Sequence, residues 1–77
     1  MYQIEANQTA GQNLLKLRLD ECLTQQELGF RAGIHQQTIS YIETGRVTCS
    51  PVTASKLAKY FGVPISLFYS PTVRNQQ

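Results

Sequence analysis

The chain has 77 residues, which is enough for one small hydrophobic core and therefore for one domain. Its apolar fraction of 42% and its modest charge content exclude a disordered or fibrous chain. Seven Lys and Arg residues against five Asp and Glu residues give a formal net charge of +2, which permits an anionic partner without requiring one.

Few residues in the chain are suited to metal chemistry or catalysis. Cys22 and Cys49 do not form a CxxC pair and have no acidic or His cluster at ligand spacing, so we expect no zinc site, no cofactor and free thiols. One His and no Gly-rich phosphate loop predict that the protein is not an enzyme. The longest apolar stretch, residues 60–69, is too short for a membrane span, and we expect a soluble, cytoplasmic protein.

The first predicted helix follows a polar segment, residues 1–8, that we interpret as a flexible arm. Thr9 and Gln12 have the spacing of a capping box, and apolar residues then recur at helical spacing. These signals predict a helix from about Thr9 to Glu21.

Two further helices are predicted close together. Thr24 and Glu27 form a second capping box, and the helix that begins there ends at Ala32, because Gly33 can adopt a positive φ. The chain becomes helical again at about Gln36 and stops at Gly45. The pattern is a helix, a three- or four-residue turn and a helix.

Ser50 and Pro51 begin a fourth predicted helix, which ends at Gly62. Pro64 opens a short fifth helix through about Tyr69, and residues 71–77 form a polar tail. We therefore predict an all-α fold of five helices over residues 9–70. In the last helix we expect Ile65 and Phe68 to pack on the core.

The turn between the second and third helices has a steric signature. Gly29 lies where these helices would meet, and its helix-propensity cost of roughly 1 kcal/mol is explained if the backbones approach closely there. The apolar positions that would face the core are Leu28, Ala32, Ile34, Ile39 and Ile42.

These residues carry a family resemblance. The following positions match the helix-turn-helix signature of the Cro-type (XRE, lambda-repressor-like) DNA-binding family: Gln25, Leu28, Gly29, Ala32, Gly33, Ile34, Ile39 and Ile42. The chain resembles that family from about Gly11 to Phe68, including the segment LAKYFGV at residues 57–63. The resemblance implies a five-helix domain whose third helix enters the major groove of DNA. It also implies a two-fold dimer on half-sites about one helical turn apart.

The third helix has an uncharged outer face opposite Ile39 and Ile42. Its predicted base-contacting residues are Gln36, Gln37, Ser40 and Tyr41. A glutamine amide matches the donor and acceptor of adenine, so we expect an A·T-containing half-site. The alternative for the two glutamines is a solvated surface, and the alternative for Tyr41 is packing on its neighbours.

Phosphate contacts are expected at the edges of this face. The candidates are Thr24, Gln25, His35, Thr44 and Arg46. His35 could instead cap the third helix. The family resemblance implies that Gln25 touches the DNA backbone and braces Gln36, and Arg46 is the principal electrostatic contact.

Arg18 and Glu43 lie on inward edges of the first and third helices, and both this placement and the resemblance predict a structural ion pair.

Leu15, Leu19 and Cys22 form a second apolar line on the first helix. Either Tyr2 or Ile4 of the arm covers this line, or a protein partner binds it. The resemblance suggests dimerisation through Leu67 and Tyr69.

We therefore expect a sequence-specific transcription regulator, a repressor that binds a pseudo-palindromic operator in double-stranded DNA as a homodimer. The competing class is a protein-interaction module, such as an antitoxin of this fold that masks a toxin or another regulator. Its support is the second apolar line and the low positive charge.

Overall fold

The computed structural model describes residues 9–69; the predicted arm at residues 1–8 and tail at residues 71–77 lie outside the described residues. The described chain forms α1 (Ala10–Asp20), α2 (Gln25–Ala32), α3 (Gln36–Glu43), α4 (Pro51–Phe61) and a 3₁₀ helix (Ile65–Leu67). No strand occurs within residues 9–69, and the predicted all-α fold is confirmed. None of the helices in this range is long and apolar enough to cross a membrane.

The helix starts follow the predicted capping residues. The Thr9 hydroxyl accepts from the backbone N–H of Gln12 at 3.2 Å, and the Gln12 side chain accepts from the backbone N–H of Thr9 at 3.0 Å. Thr24 and Glu27 repeat this arrangement at 3.0 and 2.8 Å, and the Ser50 hydroxyl caps α4. Each box satisfies two amide groups that the helix itself cannot pair.

Left-handed glycines end α2 and α4. Gly33 has a φ of +74° and Gly62 a φ of +69°, a conformation that costs glycine little. The Lys56 ammonium of α4 donates to the carbonyl of Gly33 at 3.0 Å, which ties α4 to the turn between α2 and α3.

The fifth element differs from the predicted helix. It is three residues of 3₁₀ helix, in which Leu67 N–H donates to the carbonyl of Pro64 and Phe68 N–H to that of Ile65. The tighter 3₁₀ winding changes which side chains face inward. Phe68 is buried as expected, but the prediction that Ile65 packs on the core is wrong, since Ile65 is 43% exposed. Leu67 and Tyr69 are instead the residues partly buried against the core.

One hydrophobic core joins the helices, with α1 and α2 packed on α3, and α4 packed on α2 and on the 3₁₀ helix. Its buried members are Leu14, Leu17, Leu23, Leu28, Ile34, Ile39, Ile42, Cys49, Ala54, Leu57, Ala58 and Phe68. Both cysteines are free, and burial raises the pKa of the Cys49 thiol.

Two glycines allow helices to approach closely. A Cβ at Gly29 would lie 2.5 Å from the carbonyl oxygen of Ile34, so the expected close approach at this turn is present. The second position was not predicted: a Cβ at Gly11 would collide with the carbonyl oxygen of Ile42. Gly11 therefore allows α1 to cross the end of α3, which helps to seat α3 on the core.

Asn13 is a buried polar residue that the sequence did not single out. It is 3% exposed, and its Nδ2 donates to the carbonyl of Leu67 at 2.8 Å. This bond links α1 to the 3₁₀ helix. Within residues 9–69 its Oδ1 has no hydrogen-bond partner.

Candidate nucleic-acid interface

The outer face of α3 is exposed, and it carries the residues that the sequence placed there. Gln36 and Gln37 are exposed, and Ser40 and Tyr41 are partly exposed on the same side. The opposite side is anchored in the core by Ile39 and Ile42, which are 0% and 2% exposed. The helix is therefore fixed by its inner face while its outer face remains available to a ligand.

A polar cleft of about 350 Å³ lies beside this face. It is lined by Gln25, His35, Gln36, Gln37 and Ser40. The cleft brings the start of α2 and the start of α3 together, and unpaired amides at helix starts favour an anion. All five residues that line the cleft are predicted DNA contacts.

Tyr41 connects two other residues of the interface. Gln37 Nε2 donates to the Tyr41 hydroxyl at 2.9 Å, and the Arg46 guanidinium lies 5.4 Å from the centroid of the Tyr41 ring. That distance is within cation–π range. The sequence analysis assigned these three residues to separate DNA contacts. The i, i+4 spacing of Gln37 and Tyr41 is the signal that indicates their proximity.

The predicted ion pair between Arg18 and Glu43 is present. Arg18 Nε donates to Glu43 Oε2 at 2.7 Å and an Arg18 terminal nitrogen donates to Oε1 at 3.0 Å, with side chains 12% and 5% exposed. This hydrogen bonding raises the pKa of Arg18. Arg18 also donates to the carbonyl of Leu23 at 2.8 Å, so it ties α1 to the start of the helix-turn-helix.

The resemblance implied that Gln25 braces Gln36, but Gln25 does not do so in this structure. Its Nε2 donates instead to Glu43 Oε1 at 2.9 Å. A carboxylate is a stronger acceptor than a neutral amide, and the Glu43 oxygens still have free lone pairs after pairing with Arg18. Glu43 therefore joins α1, α2 and α3 directly below the exposed face.

The side chains of the remaining predicted phosphate contacts differ in whether they already have a hydrogen-bond or ion-pair partner. The Thr24 hydroxyl is engaged in its capping box, and the Thr44 hydroxyl donates to the carbonyl of Ser40 at 3.0 Å. His35 precedes α3 without a side-chain capping bond. Arg46 is exposed beside Tyr41 and forms no ion pair within residues 9–69.

Several apolar side chains are exposed away from this interface. On the second apolar line, Leu15 is 37% exposed and Leu19 57% exposed, and Cys22 is exposed with a φ of +57°. The proposed cover, Tyr2 or Ile4, lies outside the described residues. Phe30 is 90% exposed, which the sequence did not indicate.

Comparison with known proteins places the chain in a family. A helix-turn-helix family model matches residues 14–68. The chain is 33% identical over 69 residues to the uncharacterized HTH-type transcriptional regulator y4dJ of Sinorhizobium fredii, covering 90% of each protein. It is 46% identical over 43 residues to the uncharacterized HTH-type transcriptional regulator MJ0272 of Methanocaldococcus jannaschii, which is 56% of this chain and 65% of that protein.

A solved structure agrees with these sequence matches. The restriction-modification controller protein C.AhdI from Aeromonas hydrophila superposes with a TM-score of 0.69 at 28% identity, covering 78% of this chain and 91% of that chain. The predicted family is confirmed by these three kinds of match. The chain belongs to the Cro-type helix-turn-helix family of DNA-binding transcription regulators.

Proposed function

We propose that the protein is a repressor that binds a pseudo-palindromic DNA site as a homodimer and acts in the cytoplasm. The observation that carries this proposal is the exposed, uncharged face of α3, which presents Gln36 and Gln37 beside the polar cleft and Arg46. Amide side chains suit base edges, whereas the cleft and a free guanidinium suit phosphates.

Base reading is assigned to Gln36, Gln37, Ser40 and Tyr41. Backbone contact is assigned to Arg46, to His35 and Gln25 in the cleft, and to Thr24 at the N-terminus of α2. Thr44 would contact a phosphate through its hydroxyl, in exchange for its bond to the carbonyl of Ser40. One N–H of Gln25 Nε2 donates to Glu43 Oε1, so its second N–H is the side-chain donor assigned to a phosphate. Arg46 has no such competing partner among the described carboxylates, and it is the principal phosphate contact in this proposal.

The DNA site is best tested by selecting bound sequences from a random duplex pool at a known salt concentration. We expect enrichment of an A·T-containing motif that repeats with two-fold symmetry about one helical turn apart. A reporter gene placed behind the enriched motif should fall in expression. A pool without enrichment would contradict sequence-specific binding. Increased expression of the reporter would contradict only the repressor role and would leave sequence-specific binding intact.

Dimerisation is proposed at the C-terminal end of the described chain, through the exposed parts of Leu67 and Tyr69. Ile65 adds an apolar side chain there that is 43% exposed. We expect Ile65→Lys to shift the protein toward monomer in sedimentation equilibrium. The matched control is Val52→Lys, because Val52 is 65% exposed on α4. Equal dimer content in both variants would place the interface elsewhere.

The second candidate function is a protein-interaction module. It is favoured by the exposure of Leu15 and Leu19 on α1, away from the α3 face. If this apolar line binds a partner or a second copy, Leu19→Lys should weaken that association without unfolding the protein. A folded variant with unchanged association would remove this candidate.

A further inference from the structure

Gln25, the first residue of α2, takes part in two contacts of different kinds. Its Nε2 donates to Glu43 Oε1 at 2.9 Å, and the Glu43 side chain is only 5% exposed. Gln25 is itself partly exposed, and it lines the polar cleft at the starts of α2 and α3. It therefore connects a buried carboxylate to the surface at which the proposed function places a phosphate.

The carboxylate determines which end of the Gln25 amide meets Glu43. A carboxylate in an ion pair only accepts hydrogen bonds, whereas a glutamine amide has a donor end and an acceptor end. If the amide turned over, its oxygen would face the Glu43 oxygen, and a charge-assisted hydrogen bond would be replaced by two acceptors facing each other. The nitrogen end is therefore held at Glu43, and one N–H of the NH₂ group remains for a second partner.

Glu43 is in turn held in place by Arg18. Arg18 Nε donates to Glu43 Oε2 at 2.7 Å, and a terminal nitrogen of the same guanidinium donates to Oε1 at 3.0 Å. Arg18 also donates to the carbonyl of Leu23, which lies two residues before Gln25. The acceptor that Gln25 uses is therefore fixed relative to the start of α2.

The ion pair also explains how a carboxylate is tolerated close to a proposed phosphate site. Glu43 and Arg18 together carry no net charge, so they repel a phosphate far less than a lone carboxylate would. Among the described residues, those that line the cleft include no Asp or Glu. The cleft therefore presents the Gln25 side chain without presenting the carboxylate that holds it.

We propose that Glu43 is a positioning residue for DNA binding, which holds the Gln25 amide in place before DNA binds so that its second N–H donates to a phosphate. This inference rests on the proposed function, because it requires Gln25 to contact the DNA backbone. A side chain that is ordered in advance loses less conformational freedom on binding, which raises the affinity by about two- to tenfold. Because phosphates carry no sequence information, the gain is the same for all DNA sequences.

A double-mutant cycle on DNA affinity tests the coupling between Glu43 and Gln25. One change is Gln25→Ala. The other is the paired change Arg18→Met with Glu43→Met, which removes the acceptor, keeps the net charge and leaves no buried charge unpaired. We expect the paired change to lower the affinity about two- to tenfold, equally on the selected duplex and on an unrelated one. This loss should disappear in the Gln25→Ala background.

The other outcomes of the cycle have distinct meanings. Equal losses in the two backgrounds would mean that the pair acts only by seating α3, and no loss in either would mean that Gln25 needs no positioning. A Gln25→Ala protein that binds DNA as tightly as the wild type would mean that Gln25 does not contact a phosphate. Each of these results overturns the proposal. A wild type that does not bind DNA would instead refute the proposed function.

A measurement on the wild-type protein tests the positioning without any variant. The order parameters of the side-chain NH₂ groups are measured by NMR relaxation for Gln25 and for Gln26, its exposed neighbour on α2. Without DNA we expect an ordered Gln25 amide and a mobile Gln26 amide, and the selected duplex should add no further order to Gln25. A Gln25 amide that is as mobile as that of Gln26, or that becomes ordered only with DNA, would overturn the proposal.

Discussion

At the residue scale, Glu43 holds α3 in place against α1 and α2. Its carboxylate is 5% exposed and accepts hydrogen bonds from Arg18 of α1 and Gln25 of α2. A buried carboxylate is tolerated only while such partners satisfy it. The position of α3 relative to the other two helices therefore depends on one side chain that does not itself face outward.

Removing the cation should cost more stability than removing the whole pair. Arg18→Met leaves the Glu43 carboxylate buried without its counter-charge, and we expect it to lower the free energy of unfolding by roughly 3 to 5 kcal/mol. The double variant Arg18→Met with Glu43→Gln should lose less, because no buried charge remains. Urea denaturation of both variants checks this order. Equal losses would show that the charge is not what destabilises the single variant.

Among the small and polar residues at helix contacts, the sequence predicted the role of the one whose partner is local and missed the two whose partners are distant. The Arg18–Glu43 pair, 25 residues apart, was predicted because both its inward placement and the family resemblance indicated it. Gly29 was identified because its partner, the carbonyl of Ile34, belongs to the same short motif. Gly11 meets Ile42, and Asn13 bonds Leu67 across a separation of 54 residues. No spacing pattern around Gly11 or Asn13 carries information about those partners.

Helix boundaries show the same distinction at the scale of the element. The starts of α1, α2 and α4 were placed by Thr9, Thr24 and Ser50, because a capping bond joins residues three apart. The last element was predicted as a longer helix with Ile65 inside. This element packs against α4, and the local sequence does not encode that contact.

The two capping boxes predict different responses to acid. Hydrogen bonds from the backbone and side chain of Thr24 lower the pKa of Glu27 below its ordinary value of 4.5. Because the folded pKa is depressed, the stabilisation is present above the unfolded pKa and is lost as the pH falls through the folded pKa. The box of α1 uses Gln12, which does not titrate in this range.

We expect Glu27→Gln to flatten the dependence of stability on pH below about 5, since this range begins just above the unfolded carboxyl pKa. Gln12→Glu is the matched variant, and it should add a dependence of the same sign at α1. Thermal unfolding at a series of pH values measures both. A Glu27→Gln profile parallel to that of the wild type would refute the role of this box in acid stability.

At the scale of the whole molecule, a net charge of +2 must support binding to a polyanion. The affinity therefore has to come from a few placed groups and, in the proposed homodimer, from the pairing of two subunits. Arg46 is an exposed cation beside the outer face of α3, with its guanidinium 5.4 Å from the centroid of the Tyr41 ring.

We expect Arg46→Ala to weaken binding to all DNA sequences and to lower the slope of log K against log salt by about one unit per half-site. Lys59→Ala is a suitable control, because Lys59 is an exposed cation on α4. The slope is obtained from titrations at several salt concentrations. An unchanged slope in Arg46→Ala would remove Arg46 from the phosphate contacts.

In the proposed function the uncharged face of α3 reads bases while other groups hold the DNA backbone. The most direct measurement compares wild type and Gln37→Ala on the selected duplex and on an unrelated duplex at one salt concentration. We predict a loss of roughly 1 to 3 kcal/mol on the selected duplex and no loss on the unrelated one. An equal loss on both duplexes would contradict base reading by α3.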